Sequence, residues 1–283
     1  MPLVPMADLL KQATEHTYAV PAFCVWNIET AETVLRVADA AKSPVILLNG
    51  PGEFSLVRPA DLSLVVSALS KRYPVPAALH LDHGRSLAQV QECLAAGYTS
   101  VMLDCSDQPF AENVKQLQQA VALATPCGVT VEGEIGRIGA GHIVSDAGLV
   151  ASALTDPDEA AAYAEQTGVG ALAISIGNAH GHYAKLPNLD FARLAAIRER
   201  VRVPLVLHGG SATPADDLRR AISLGIAKVN VATELVTAAR ASLLEQWKAG
   251  ENLWVPAALS RAMRDVAAVI ERWIHLTGAA GRA

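Results

Sequence analysis

Apolar residues along this chain gather in short continuous runs rather than in strict alternation with polar ones. Eight such runs recur: 18–23 (YAVPAF), 43–48 (SPVILL), 75–82 (VPAALHLD), 100–106 (SVMLDCS), 128–136 (GVTVEGEIG), 171–177 (ALAISIG), 203–209 (VPLVLHG) and 227–233 (AKVNVAT). Alternation would leave one face of a strand to water, whereas a continuous β-branched run marks a strand covered on both faces. Between the runs lie Ala- and Leu-rich stretches with apolar positions at helical spacing, among them 28–42, 87–97, 156–168 and 214–225. Several start after Asp, Ser or Thr and several end in Gly, the usual start and stop signals of a helix. Residues 1–16 read as an amphipathic first helix. Strand and helix alternating eight times predict an α/β fold, a (β/α)8 TIM barrel, with a doubly wound open sheet as the competing architecture. The expected organisation is a single domain over 1–283 with a C-terminal helical extension over about 234–278. The last part of that extension, 259–278, is a long amphipathic helix with Trp273 and Ile274 available for packing, on its own barrel or on a second subunit.

Composition narrows the reading without changing it. With 283 residues, 51% of them hydrophobic and 18% charged, the chain is long and apolar enough for a large core and is not a disordered segment. A net charge of -5 gives no general attraction to nucleic acid or to an anionic membrane. No apolar run reaches the roughly 18 residues that a membrane span needs. The opening residues lack the pattern of a secretory signal. Cys24, Cys93, Cys105 and Cys127 form no C-x-x-C pair and read as reduced thiols of a cytoplasmic protein.

The residues that close each strand change the picture more. In order they include Cys24 and Asn27, Asn49, Asp82 and His83, Asp104 and Ser106, Glu132 and Glu134, Asn178 and His180, His208 and Ser211, then Asn230 and Thr233. The carboxyl ends of barrel strands converge on one mouth, where catalytic groups sit. A polar residue at one strand end means little; polar residues at all eight, with histidines from three separate strands, point to a site. Three imidazoles, His83, His180 and His208, with one open position match the pattern of catalytic zinc. His80, inside its strand, reads instead as a packed group or one that supports a ligand from behind. Asp82 is either an acid–base group or a partner that orients a histidine. Glycines and hydroxyls after the last three strands suit a phosphate site built from backbone N–H groups.

Six collinear stretches, ALHLDHG, SVMLDCS, VEGEIGRIG, GNAHGHY, VPLVLHGGS and KVNVATEL, together resemble the class II, zinc-dependent ketose-bisphosphate aldolases, and within them the tagatose-bisphosphate aldolase branch. The resemblance runs from about residue 18 to the C-terminus. It implies a TIM-barrel lyase that cleaves or forms a phosphorylated ketose, with dihydroxyacetone phosphate as the partner that passes through an enediolate. It implies zinc held by His83, His180 and His208, an alternative inward metal position using Asp104 and Glu134, and Asp82 as proton donor and acceptor at the substrate hydroxyl. It assigns the phosphate contacts to Gly181, to Gly209, Gly210 and Ser211, and to Asn230, Val231, Ala232 and Thr233. The same loops hold a monovalent cation (Na+ or K+) in some relatives. It further implies a homodimer or homotetramer, with no nucleic-acid or membrane partner.

The chain departs from that pattern in places. Family members carry a glutamate on the loop after the fifth strand that exchanges a proton at the nascent carbanion; here the position holds His142, whose ordinary pKa near 6.5 suits the same task. Cys24 stands where the family usually has Asn, SAT replaces SG after the seventh strand, and the second strand ends in LLNGPGEF. These changes bear on the aldehyde partner more than on the barrel or the metal. The alternatives are a zinc aldolase of altered aldehyde specificity and a non-catalytic partner subunit of the same family. Retention of the three histidines and Asp82 weighs against the second.

Overall fold

The structure is a computed structural model that describes residues 3–138, 143–144, 154–183, 188–251 and 254–283; for 143–144, 182–183 and 212 only the backbone is described. All eight expected strands form: β1 (Val20–Cys24), β2 (Val45–Asn49), β3 (Ala77–Gly84), β4 (Ser100–Leu103), β5 (Thr130–Ile135), β6 (Ala171–Ile174), β7 (Leu205–Leu207) and β8 (Ile226–Val231). They are parallel and close in the order β1-β8-β7-β6-β5-β4-β3-β2. This is a (β/α)8 TIM barrel. Strands that belong to neither edge nor surface explain why their sequences run apolar without a break.

Helices α1 (Met6–Glu15), α2 (Ile28–Ala40), α3 (Pro59–Arg72), α4 (Leu87–Ala96), α5 (Phe110–Ala124), α6 (Pro157–Thr167), α7 (Phe191–Arg200), α8 (Ala215–Ser223), α9 (Thr233–Lys248) and α10 (Val255–Leu276) complete the chain. Their ends carry the signals expected from sequence. Asn27 and Thr30 form a reciprocal capping box on α2, Ser86, Asp156 and Asp190 cap α4, α6 and α7, and Gly97 and Gly168 end α4 and α6 in the left-handed conformation. A short ladder of Ile143–Val144 on His182–Tyr183 joins the loops after β5 and β6 and has no counterpart in the sequence reading.

Alternate residues of each strand point into the barrel. Lower inner positions are apolar and mostly small: Ala22, Ile46, Leu48, Ala78, Ala171, Ala173 and Val206 cluster with Met6, Leu9, Leu10 and Ala13 of α1. Helix α1 therefore plugs the N-terminal end, and two long-range bonds pin it there: Val4 N–H to the Ala77 carbonyl at 2.9 Å and Ala7 N–H to Thr130 Oγ1 at 2.9 Å. Higher on the strands the inward positions turn ionisable, with His80, Glu132 and Lys228 fully buried. Asp82, Glu134 and Asn230 follow two residues further along the same strands. The outer faces of the strands, Phe23, Leu47, Leu79, Val101, Leu172 and Val229 among them, pack under the helices.

Helix α10 begins four residues earlier than its expected start and buries Val266, Ile270, Trp273 and Ile274 against α9 and α2 of its own barrel. Trp273 Nε1–H donates to Glu234 Oε2 at 2.7 Å, which ties this helix to the first turn of α9. Among the described residues no helix is long and apolar enough to cross a membrane.

Candidate active site

The end of β3 is the first departure from regular structure. Its pairing with β4 slips between Leu81 and Gly84, and His83 adopts φ 46°, the left-handed region that few non-glycine residues enter. In an unbroken strand adjacent side chains take opposite faces, so Asp82 and His83 could not both reach the mouth. The bulge removes that constraint. Gly84 is part of the same device, because a Cβ there would lie 2.6 Å from the Met102 carbonyl oxygen.

His83, His180 and His208 come together as expected from sequence. Ring centroids lie 4.9 Å apart for His83 and His180, 4.7 Å for His83 and His208, and 5.5 Å for His180 and His208. One nitrogen from each falls within 4.8 Å of the other two. Asp104 and Glu134 form a second such group with His83. Two of the rings are braced from behind by carboxylates. His83 Nδ1 lies 2.9 Å from Asp104 Oδ2, and His208 Nε2 lies 2.8 Å from Glu132 Oε1, leaving His83 Nε2 and His208 Nδ1 facing each other at 3.0 Å. A carboxylate behind an imidazole fixes the tautomer that presents a lone pair forward. Ser106 in turn donates to Asp104 Oδ1 at 2.8 Å.

A metal ion fits this set. His180 Nε2 and Glu134 Oε2 are buried yet have no hydrogen-bond partner among the described residues, a costly state for polar atoms unless something polar or cationic occupies the space between. Three imidazoles with carboxylates nearby match the donors that zinc prefers.

The electrostatics agree. Burial works against a charge on His83, but Asp82, Asp104 and Glu134 outweigh it and push the imidazole up to about 9. His180 is pushed down to about 4 by burial and by the charge on His83, and His208 falls well below its usual value through burial, His83 and Lys228. Glu134 rises to about 8 because it is buried beside Asp104. Burial likewise opposes charge on Asp104, yet its bond to His83 holds it well below the usual carboxylate range. A positive charge is thus already favoured at the point where the histidines meet.

Asp82 stands at the edge of this cluster and accepts from Asn230 Nδ2–H at 3.0 Å across the mouth. It is not hydrogen-bonded to any of the three histidines, which argues against a role in orienting one. Asn230 Oδ1 is buried and without a partner among the described residues. Gly181 follows β6, and Gly209 and Gly210 follow β7. Gly181 and Gly209 have positive φ, 96° and 67°, and a Cβ on Gly210 would sit 2.9 Å from the Asn230 carbonyl. Ser211 Oγ accepts from Glu234 N–H at 3.3 Å, and β8 runs through Asn230 and Val231 to Ala232 and Thr233 at the N-terminus of α9. Backbone N–H groups of a helix start favour an anion. His142 lies outside the described residues.

His80 is a core group as expected, with Nδ1 2.7 Å from Ser100 Oγ and no exposure. Two participants were not singled out from sequence. Lys228 Nζ, with no exposure, lies 2.7 Å from Glu132 Oε2, so the carboxylate behind His208 is itself held by a buried cation. The only signal was one lysine inside an apolar strand. Glu53, in the turn after β2, sits beside Cys24 and Asp82; it lies within the divergent LLNGPGEF stretch, where nothing set it apart from its neighbours.

Residues 4–282 match the profile of the family described as fructose-bisphosphate aldolase class-II. Among solved structures, the YdjI aldolase from Escherichia coli K12 is 34% identical, with a TM-score of 0.88 over 99% of both chains. A protein assigned as a fructose-1,6-biphosphate aldolase from Coccidioides immitis is 30% identical, with a TM-score of 0.88 over 97% of this chain and 96% of that one. The fructose-bisphosphate aldolase of Campylobacter jejuni, at 21% identity and a TM-score of 0.85 over 100% of this chain and 97% of the other, shares the fold.

Proposed function

This chain belongs to the class II fructose-bisphosphate aldolase family and is an aldehyde-lyase, and on that premise we propose that it is a zinc-dependent aldolase that cleaves and forms a phosphorylated ketose through dihydroxyacetone phosphate. The observation that carries the reading is the convergence of His83, His180 and His208 beside Asp82. His83, His180 and His208 would hold the ion, with Asp104 and Glu134 as an inward alternative. Zinc there supplies a Lewis acid for the negative charge that cleavage leaves next to the ketone.

The chain's own groups account for the remaining steps. Asp82, kept in place by Asn230, takes the proton from the hydroxyl on the carbon whose carbon–carbon bond breaks, and returns it in synthesis. The unpartnered Asn230 Oδ1 accepts from a substrate hydroxyl. Gly181, Gly209, Gly210, Ser211, Asn230, Val231, Ala232 and Thr233 bind the ketose phosphate through backbone N–H groups and the serine hydroxyl, and can share that site with Na+ or K+. His142, which follows β5 in the sequence, moves the proton at the carbanion carbon. Asp104 and Glu132 fix the imidazoles that face forward.

The motifs support the tagatose-bisphosphate branch as kin in sequence. One domain carries the whole site, its relatives' habit favours a homodimer or homotetramer, and the reduced cysteines fit the cytoplasm. The test is metal analysis of the purified chain together with release of dihydroxyacetone phosphate from a panel of ketose monophosphates and bisphosphates. Bound zinc with turnover removed by a chelator and restored by zinc is the expected result; bound zinc without turnover on any of them would reject the assignment.

A further inference from the structure

Asp82 has two further neighbours, Cys24 and Glu53. The Cys24 thiol, at the end of β1, lies beside the Glu53 carboxyl, whose Oε2 accepts from Gly50 N–H at 2.9 Å. This turn is pressed onto β3: a Cβ on Gly50 would lie 2.6 Å from the Asp82 carbonyl oxygen. Glu53 and Cys24 both feel the charge of Asp82 after the larger effect of burial, and both are pushed up. Three consecutive strand ends therefore place a thiol and two carboxyls side by side. Among the described residues, no lysine or arginine forms an ion pair with Glu53 or Asp82.

Substrate orientation follows from the function proposed above, on which this inference rests. With the ketose phosphate on the loops after β6, β7 and β8, and the ketone at the three histidines, the hydroxyl that becomes the aldehyde lies at Asp82. The carbons beyond it then run toward Cys24 and Glu53. A phosphate one or two carbons past the aldehyde would bring a dianion to a half-buried wall that holds two carboxyls and, among the described residues, no lysine or arginine paired with them. A hydroxyl would find an acceptor or a donor in the Glu53 carboxyl in either protonation state.

We propose that Glu53, with Cys24 beside it, is the specificity-determining residue of the aldehyde side, selecting a short, uncharged, hydroxyl-bearing aldehyde, so that the ketose substrate is a 1-phosphate rather than a 1,6-bisphosphate. The acid excludes a second phosphate by charge and holds the open-chain polyol by hydrogen bonds.

The test compares kcat/KM for matched ketose 1-phosphates and 1,6-bisphosphates across the four stereochemistries of the D-ketohexoses. It uses the full-length zinc-loaded enzyme and its Glu53→Gln and Glu53→Asp variants. Glutamine keeps the size of the side chain and an oxygen for the Gly50 N–H but removes the charge; aspartate keeps the charge. The expected result is a wild-type preference for the monophosphate, retained in Glu53→Asp. In Glu53→Gln that preference falls by ~tenfold or more, the scale of one lost charge–charge repulsion in a partly buried site. The ratio of the two substrates cancels any general loss of folded enzyme, and Glu53→Ser gives the same readout should the glutamine form not fold. A wild-type preference for the bisphosphate, or a ratio unmoved by loss of the charge, would overturn the inference. Hydrogen exchange of dihydroxyacetone phosphate with deuterated water, followed by NMR in the wild type without any aldehyde, separates the two readings. Exchange with the wrong substrate ratio sinks only the role of Glu53, whereas no exchange overturns the aldolase reading and the inference with it.

Discussion

Lys228 offers a quantitative test of what lies beneath the histidines. Its Nζ is 2.7 Å from Glu132 Oε2 and both side chains have no exposure. At that separation and an effective dielectric near 20, the gross attraction is ~6 kcal/mol. Much of it offsets the cost of taking both ions out of water, so the pair adds little to stability as a whole. Removing one partner is another matter. In Lys228→Met the Glu132 carboxylate stays buried without its cation, and the expected loss of folding free energy is ~3–5 kcal/mol. Urea unfolding of the metal-free protein measures it. The double variant Lys228→Met/Glu132→Leu removes both ions and fills the space with apolar atoms, and should recover most of the loss. It also strips His208 Nε2 of its acceptor, so zinc affinity should fall ~10–100-fold even where stability has returned. Stability and metal affinity thus part company in the double variant. A single variant that loses less than about 1 kcal/mol, or a double variant that is no more stable than the single, would refute the reasoning.

Other expectations follow from the same geometry. Asp82→Asn should lower turnover by roughly 10²–10⁴-fold with zinc content unchanged by elemental analysis; unchanged turnover would remove Asp82 from the proton transfer. Gly210→Ala places a Cβ 2.5 Å from Val229 Cγ1 and 2.9 Å from the Asn230 backbone oxygen, so the loop must shift; KM for the ketose phosphate should rise while zinc affinity holds, and an unaltered KM would place the phosphate elsewhere. Zinc requires the neutral form of His83, whose imidazole is raised to about 9 without metal. Affinity should therefore climb about tenfold per pH unit from pH 6 towards 9, with close to one proton released per ion at neutral pH. His180, held down at about 4, contributes none. Calorimetry in buffers of differing ionisation heat measures this, and pH-independent affinity would contradict it.

The barrel was legible because its physics is local and repetitive: continuous apolar runs at 43–48 or 171–177 mean strands covered on both faces, and Ser86, Asp156, Gly97 and Gly168 announce helix ends where they stand. The three histidines were legible because the fold gathers the strand ends. The slip at His83 was not. Nothing in LDHG states that the chain leaves the regular pleat, and only the crowding of Gly84 on the Met102 carbonyl reveals why a glycine follows. Lys228 and Glu132 are separated by 96 residues and meet only after closure. Glu53 lies in a turn whose position depends on contact with β3, so its relation to Asp82 is a tertiary fact. The ladder between residues 143–144 and 182–183 pairs two loops far apart in sequence and is likewise invisible to local pattern.

Crystals of the zinc-loaded protein, with anomalous diffraction recorded on both sides of the zinc absorption edge, test the idea on which the function rests. One strong peak should appear at ~2.0–2.1 Å from a ring nitrogen of each of His83, His180 and His208. A zinc peak bound elsewhere, with those three rings still turned toward one another around empty space, would contradict it.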